Sequence, residues 1–162
     1  AKLPDSMIQD LVMMKLNAVG LRNAAKLKPS EISGGMARRV ALARAVALDP
    51  QLIMYDEPFA GLDPISMGVT ATLIRNLNNA LGSTSILVSH DVHETFLIAD
   101  YVYFMSQGKI VAQGTPKEML ESTDPYVKQF VHAESDGPVP FHYPGKSMAQ
   151  EIGLKSHSGD QT

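Results

Sequence analysis

The stretch "ISGGMARRVALARAVALDPQLIMYDEP", residues 32–58, combines a helix pattern with a strand pattern. Residues 36–48 are rich in Ala, Leu and Arg, which favour a helix, and Asp49-Pro50 is a typical helix end. The following run, "QLIMY", predicts a short strand that is fully buried, as strands of parallel sheets are. A helix that leads directly into such a strand is typical of an α/β fold.

The same alternation continues along the chain. Helices are predicted over residues 7–19 and 66–81, the second closed by Gly82, and "TSILVS" (84–89) predicts a second buried strand. Strands that alternate with helices are expected to be parallel, and such sheets bind ligands beyond the carboxyl ends of their strands. An acidic pair and the triplet "SHD" follow the two strands, so we expect the chemistry at one edge of the sheet.

The later sequence carries several start and turn signals. Residues 91–94 and 115–118 each have the pattern of a capping box, and Asp124-Pro125 is a further helix start. "YVYFMS" and "KIVAQ" flank Gln107-Gly108 and predict a hairpin. From Glu134 onward Gly, Pro, Ser and His dominate without periodicity, which predicts a tail.

Composition limits the classes of function. The 162 residues are 44% hydrophobic and 19% charged, with a net charge of −3, so no basic field favours a nucleic-acid partner. The absence of cysteine excludes disulfides and thiolate metal sites. We expect three regions: a helical portion over 1–49, an α/β core over 50–133 and a tail over 134–162.

Ser33, Gly34 and Gly35 precede the first predicted helix of the opening stretch. Glycines allow backbone N–H groups to approach a ligand closely, and a helix N-terminus favours anions, so these residues fit a phosphate. They equally fit a glycine-rich turn with a serine cap. The three residues alone leave both interpretations open.

Asp56, Glu57 and His90 are the candidates for chemistry at the strand ends. One carboxylate there can hold Mg²⁺ and the next can polarise an attacking water, a division of roles that suits phosphoryl transfer to water. The histidine can bridge a terminal phosphate and the second acid. Each motif taken alone is more often a solvated turn or an ordinary histidine.

The order and spacing of the motifs make the pattern specific. Gly34 lies 22 residues before Asp56, Asp56 lies seven before Asp63, and His90 lies 33 after Glu57. "ISGGM" resembles the signature loop of ATP-binding-cassette (ABC) ATPases, usually LSGGQ. "LIMYDEP" resembles their Walker B strand, "AGLD" their D-loop and "SHD" their switch histidine. Residues 1 to about 133 therefore resemble the second half of an ABC ATPase.

This resemblance implies a P-loop NTPase-like parallel sheet core with part of the helical subdomain, and ATP and Mg²⁺ as cofactors. It implies that Asp56 orders the Mg²⁺ shell, that Glu57 is the general base and that His90 contacts the γ-phosphate. Asp63 would cross the seam of a head-to-tail dimer. Residues 33–35 would close over the ATP of the second ATPase subunit, and membrane permease subunits would be further partners.

Several positions depart from the family pattern. Met36 replaces the usual glutamine, Ile32 replaces leucine, and Gly61 occupies a position that is often alanine. The 162 residues also contain no GxxxxGK[ST], the loop whose lysine and backbone cradle the phosphates. We therefore expect a fragment of a longer ATPase that is inactive by itself.

A narrower resemblance involves the tail. "SDGPVPFHYPG" (135–145), together with "EISGGMARR" and "DPISMG", is similar to the Mla-type ATPases that move phospholipids between Gram-negative envelope membranes. It implies a peripheral subunit on the cytoplasmic face of the inner membrane. Two alternatives stay open: a soluble, non-transport cassette ATPase, and a degenerate cassette that binds a partner without hydrolysing ATP.

Overall fold

Six α-helices and four strands follow one another along residues 3–139, the part of the chain that the structure, a computed structural model, describes. The elements are α1 (Asp5–Ala18), α2 (Gly34–Ala45), β1 (Leu52–Asp56), α3 (Pro64–Leu81), β2 (Thr84–Val88), α4 (Val92–Ile98), β3 (Val102–Ser106), β4 (Lys109–Gly114), α5 (Pro116–Leu120) and α6 (Pro125–His132). The chain divides into two compact units, Ala1–Met119 and Leu120–Thr162, and each is described by itself. Among residues 3–139 we find no helix with the length and apolarity needed to cross a membrane.

The centre of the first unit is a parallel pair of strands. β1 and β2 pair in register from Leu52 opposite Thr84 to Asp56 opposite Val88. The 18-residue helix α3 connects them, which gives the strand–helix–strand unit that parallel pairing requires. The predicted α/β fold with a parallel sheet is confirmed, and both strands end at the same edge.

The prediction that β1 is fully buried and that β2 is a buried strand is wrong. In β1 only Ile53 and Tyr55 are buried, while Leu52 and Met54 are 51% and 72% exposed. No residue of β2 is fully buried. An apolar run identifies a strand that could be buried. It does not show whether other parts of the chain cover one face of that strand or both. Within the described residues, helices cover one face of the pair.

The covered face of β1 packs into a core made with α1, α2 and α3. Its fully buried members include Val19 after α1, Val46 after α2 and Phe59 after β1, each at most 1% exposed. Burial of one such side chain stabilises the fold by about 1.5–3 kcal/mol. Tyr55 directly precedes the acidic pair and Phe59 lies two residues after it, and both are buried, so the core fixes the chain on both sides of the predicted site.

Helix ends explain how α3 and α4 are placed. The carboxylate of Asp63 caps α3, Pro64 is its first residue, and Gly82 closes it in the left-handed conformation that glycine tolerates (φ 61°). The predicted capping box at the start of α4 is wrong. The Asp91 side chain makes no capping hydrogen bond to α4 and instead accepts one from the Ser89 hydroxyl at 3.3 Å.

The predicted hairpin is confirmed. β3 and β4 pair antiparallel around Gln107 and Gly108, which both have positive φ, as the tight turns of hairpins require. The capping box of α5 is also confirmed. Its Thr115 N–H donates to Glu118 Oε2 at 2.7 Å, and the Glu118 N–H donates to Thr115 Oγ1 at 3.3 Å.

In the second unit, α6 starts at the predicted position, with Asp124 accepting hydrogen bonds from Tyr126 N and Val127 N. The side-chain amide of Gln129 accepts from the Val139 N–H and donates to its carbonyl, both at 2.8 Å. The first residues of the predicted tail are therefore held against α6. The rest of the predicted tail, residues 140–162, lies outside the described residues.

Candidate functional site

The carboxyl ends of β1 and β2 bring the predicted catalytic residues together. The Glu57 N–H donates to the Val88 carbonyl at 2.8 Å, which extends the pairing by one residue. Two residues beyond β2, His90 Nδ1 lies 2.9 Å from Glu57 Oε2. The side chains are 67% (His90) and 37% (Glu57) exposed, so the pair faces solvent. Residues that are 33 positions apart in sequence therefore form one contact at the expected edge.

This contact sets the charges of the pair. The hydrogen bond from His90 lowers the pKa of Glu57, and the hydrogen bond to Glu57 raises the pKa of His90. The negative charge of Asp91 raises the pKa of His90 further. An ionised Glu57 carboxylate that accepts a hydrogen bond from His90 is the state this geometry favours.

Ser89 is a member of the site to which the sequence analysis assigned no role. Its hydroxyl oxygen accepts the Asp91 N–H at 3.0 Å and lies 3.4 Å from Glu57 Oε2 and 3.3 Å from Asp91 Oδ2. One hydroxyl hydrogen can serve only one carboxylate at a time. The sequence does contain a signal for this role. Ser89 stands between the end of a strand and a histidine, and from there the serine side chain can reach the end of the neighbouring strand.

The magnesium prediction concerns Asp56, the exposed last residue of β1. Mg²⁺ prefers oxygen ligands and is usually held by one or two carboxylates together with substrate phosphates. An exposed carboxylate at the edge where the site lies fits that requirement. A separate group, made by Glu57, His90 and Asp91, places one potential ligand atom of each within 4.8 Å of the others.

The signature loop has a different character. Ser33 caps α2 by accepting the Met36 N–H at 3.3 Å, so the serine cap considered from the sequence is present. A Cβ added at Gly34 or Gly35 would meet no atom within 4 Å. As the first two residues of a helix, they have N–H groups without intrahelical acceptors. The serine cap therefore stands beside two N–H groups that α2 itself does not satisfy.

Asp63 lies at the start of α3. Its carboxylate accepts the N–H groups of Ile65 and Ser66 at 3.0 Å and the Ser66 hydroxyl at 2.5 Å. The hydroxyl contact is the main reason that its pKa is lowered. Within the described residues these are the contacts of a helix cap, and its role at a dimer seam stays a prediction.

Comparison with known proteins agrees with the motif pattern. A family model described as "ABC transporter" matches residues 5–60. The intermembrane phospholipid transport system ATP-binding protein MlaF of Haemophilus influenzae is 59% identical over 150 residues, which cover 93% of this chain and 57% of that protein. This chain belongs to the ABC transporter ATPase family. It spans about half the length of the curated relatives that it matches.

Solved ABC cassettes share the fold. The cbiO1 protein of Clostridium perfringens, part of an ABC transporter complex, superposes with a TM-score of 0.71 at 31% identity, covering 79% of this chain and 51% of that one. The ADP conformation of another ABC transporter cassette gives a TM-score of 0.70 at 27% identity over 83% of this chain and 52% of that one. The predicted P-loop NTPase-like fold class is therefore confirmed.

Two arginines of α2 contact backbone carbonyls. Arg38 and Arg39 are both half-buried, although charged side chains on a helix usually face solvent. Arg38 Nη1 donates to the Pro58 carbonyl at 2.6 Å and lies 3.4 Å from the Glu57 carbonyl. Arg39 Nη1 donates to the Val19 carbonyl at 3.4 Å. Helical periodicity does not predict these contacts, because it does not identify what packs beside the helix.

Proposed function

We propose that this chain belongs to an ATPase subunit that powers an ABC transporter. In that subunit it would provide the signature loop and the edge of the parallel sheet at which ATP is hydrolysed. The observation that carries the proposal is the 2.9 Å contact between Glu57 Oε2 and His90 Nδ1 at the shared end of two parallel strands. An acid and a histidine at this edge are the groups needed to activate water beside a phosphate.

In this proposal Glu57 is the general base. Its ionised carboxylate accepts the proton of the water that attacks the γ-phosphate, and the hydrogen bond from His90 keeps that carboxylate oriented. Asp56 would hold Mg²⁺, which neutralises phosphate charge when bound. The Ser89 hydroxyl lies 3.4 Å from Glu57 Oε2 and can donate to the same carboxylate when it does not donate to Asp91.

Residues 33–35 would serve a second ATP molecule, bound by a partner subunit in a head-to-tail dimer. The position of Gly34 and Gly35 supports this role, because they are the first two residues of α2 and their N–H groups have no intrahelical acceptors. Asp63 would lie near the seam between the subunits. The phosphate cradle of each subunit would come from sequence outside these 162 residues, so this chain alone would be inactive.

Phospholipid is the substrate we propose for the transporter, and the 59% identity to MlaF supports it. The subunit would act at the cytoplasmic face of the inner membrane, bound to permease subunits. ATP turnover by the subunit would then drive lipid transfer between the membranes of a Gram-negative envelope.

The test is Glu57→Gln in a full-length subunit that contains this sequence, reconstituted with its permease in phospholipid vesicles. The amide accepts no proton, so ATP hydrolysis should fall by about 10²–10⁴-fold while ATP binding persists. Transfer of a labelled phospholipid should stop with it. Glu121→Gln, at an exposed position of the second unit, is the control and should retain both activities.

The outcomes separate the alternatives. Unchanged hydrolysis in Glu57→Gln would remove Glu57 from the mechanism. A wild-type complex without hydrolysis would indicate a degenerate cassette that only binds. Full hydrolysis that neither permease nor lipid affects would indicate a soluble cassette ATPase.

A further inference from the structure

Arg38 joins the two functional segments of the chain. It lies on α2 three residues after Gly35, about one helical turn from the signature glycines. Its guanidinium reaches across to the turn after β1, where Nη1 lies 2.6 Å from the Pro58 carbonyl oxygen and 3.4 Å from that of Glu57. One side chain thus connects the signature helix to the backbone of the predicted general base.

The backbone of Glu57 needs such support. Its φ is 45°, a left-handed conformation that is unfavourable for any residue with a Cβ and that persists only where the surroundings enforce it. The Glu57 N–H is held by Val88 at 2.8 Å, and its carbonyl accepts the Ala60 N–H at 3.3 Å. On the other side Phe59 is completely buried. Arg38 supplies the contact that comes from α2.

We propose that Arg38 is a positioning residue that holds the Glu57 turn in place relative to the signature helix. The inference rests on the proposed function and deepens it. Because residues 33–35 would serve one ATP and Glu57 the other, Arg38 transmits a displacement of α2 at one site to the base of the second site. Arg38 touches no reacting atom, and it acts through the backbone carbonyls of Glu57 and Pro58.

Arg39 is a matched control. It is the next residue of the same helix, is also half-buried, and also donates to a backbone carbonyl, that of Val19 at 3.4 Å. That carbonyl follows α1 and is no part of the Glu57 turn. Arg39→Ala therefore removes a comparable guanidinium and leaves the turn intact.

The first measurement does not depend on hydrolysis. In the full-length subunit without nucleotide, amide hydrogen exchange over residues 57–62 should accelerate in Arg38→Ala by roughly 2- to 10-fold, the factor that one net hydrogen bond corresponds to. Arg38→Lys, which keeps one charged donor, should restore part of the protection, and Arg39→Ala should leave it unchanged. Equal exchange in wild type and Arg38→Ala would overturn the proposal, as would equal acceleration in Arg39→Ala.

The second measurement is ATP hydrolysis by the assembled complex. Arg38→Ala should lower kcat by on the order of 10-fold, since misplacing a catalytic group even slightly is costly, while KM changes by less than about 2-fold. Arg39→Ala should keep kcat within about 2-fold of wild type. A rise in KM at constant kcat would overturn the positioning role. A wild-type complex that hydrolyses nothing would defeat the proposed function alone, because the exchange experiment still decides the Arg38 contact.

Discussion

The signature loop and the sheet edge that carries Glu57 differ in how many contacts their functional residues make within this chain. At the edge, the side chain of Glu57 contacts His90 and Ser89, and its backbone contacts Arg38 and Val88. At the loop, a Cβ added at Gly34 or Gly35 would have open space, and among the described residues the contact found is the Met36 N–H donating to the Ser33 hydroxyl.

The difference indicates a division of work. A general base must be held within a fraction of an ångström of its working position, so the chain surrounds it with contacts of its own. A loop that closes on a ligand from another molecule must keep its donors free until that ligand arrives. The two segments should therefore respond to mutation in opposite ways.

The largest expected effect is that of Gly35→Asp on hydrolysis. Since a Cβ at Gly35 meets nothing within 4 Å, the melting temperature of the subunit should be unchanged. If the loop lies beside a phosphate, however, the added carboxylate would repel that phosphate by about 4 kcal/mol when the two charges are 4 Å apart and the effective dielectric is near 20. ATP turnover by the full-length dimer should fall by more than about 100-fold. Steady-state hydrolysis and calorimetry measure the two effects.

Gly68→Asp is the control for that prediction. Gly68 lies within α3, and a Cβ there also meets nothing within 4 Å, so the same substitution adds the same charge away from the loop. It should leave turnover near the wild-type value. If both variants lost turnover equally, the signature loop would have no special role. A drop in melting temperature with Gly35→Asp would mean that the loop is packed rather than open.

A smaller effect is expected at Asp63, whose observed role is structural. Asp63→Ala removes the cap of α3 and should lower the free energy of unfolding by about 1 kcal/mol. Asp63→Asn should keep the cap, because asparagine is an equally good capping residue. Chemical denaturation of the two variants measures this directly.

Asp124→Ala, which removes the equivalent cap from α6, is the matched control for stability. If Asp63 also acts at a dimer seam, Asp63→Asn should lose hydrolysis while retaining stability, whereas Asp124→Asn should lose neither. Full activity of Asp63→Asn would restrict Asp63 to its capping role.

The smallest effect concerns the titration of His90. Glu57→Gln removes the main cause of its raised pKa, so the midpoint of an NMR titration should move down toward about 6.5, incompletely because Asp91 remains. Glu121→Gln should leave the midpoint in place. An unchanged midpoint in Glu57→Gln would mean that the contact does not persist in solution.

The contact between Glu57 and His90 makes the stability of the fold depend on pH. The pKa of His90 is raised on folding, so its contribution is complete below about pH 6.5 and is lost as pH rises through the folded value. The pKa of Glu57 is lowered, so its contribution is complete above about pH 4.3 and is lost as pH falls through the folded value. The contact therefore stabilises the fold mainly between these limits.

Local signals in the sequence predicted much of this architecture. The strands β1 and β2, the helix start at Asp124-Pro125, the turn at Gln107-Gly108 and the box at 115–118 depend on residues close to one another in the chain, and all were found. The meeting of Glu57 and His90 was also predictable, because parallel strands end at the same edge.

The features that the sequence did not predict depend on residues that are close in space but distant in the chain. "QLIMY" is apolar enough for burial on both faces, yet only one face is covered by the described residues. Asp91 has the capping pattern, but the Ser89 hydroxyl competes for its carboxylate. Arg38 has a long apolar stem and a charged end, which suits both solvent and a half-buried carbonyl, and only packing decides between them.

The positive φ of Glu57 has an evolutionary consequence. Random substitution to glycine or asparagine at this position would relax the backbone at once, so selection for stability alone drives the residue away from glutamate. Glu57→Asn and Glu57→Gly should therefore relax the backbone while they remove the carboxylate. Asp49, Gln107 and Ala133 also have positive φ, so the conformation indicates a function only where the side chain also joins a site, as Glu57 does through its contact with His90.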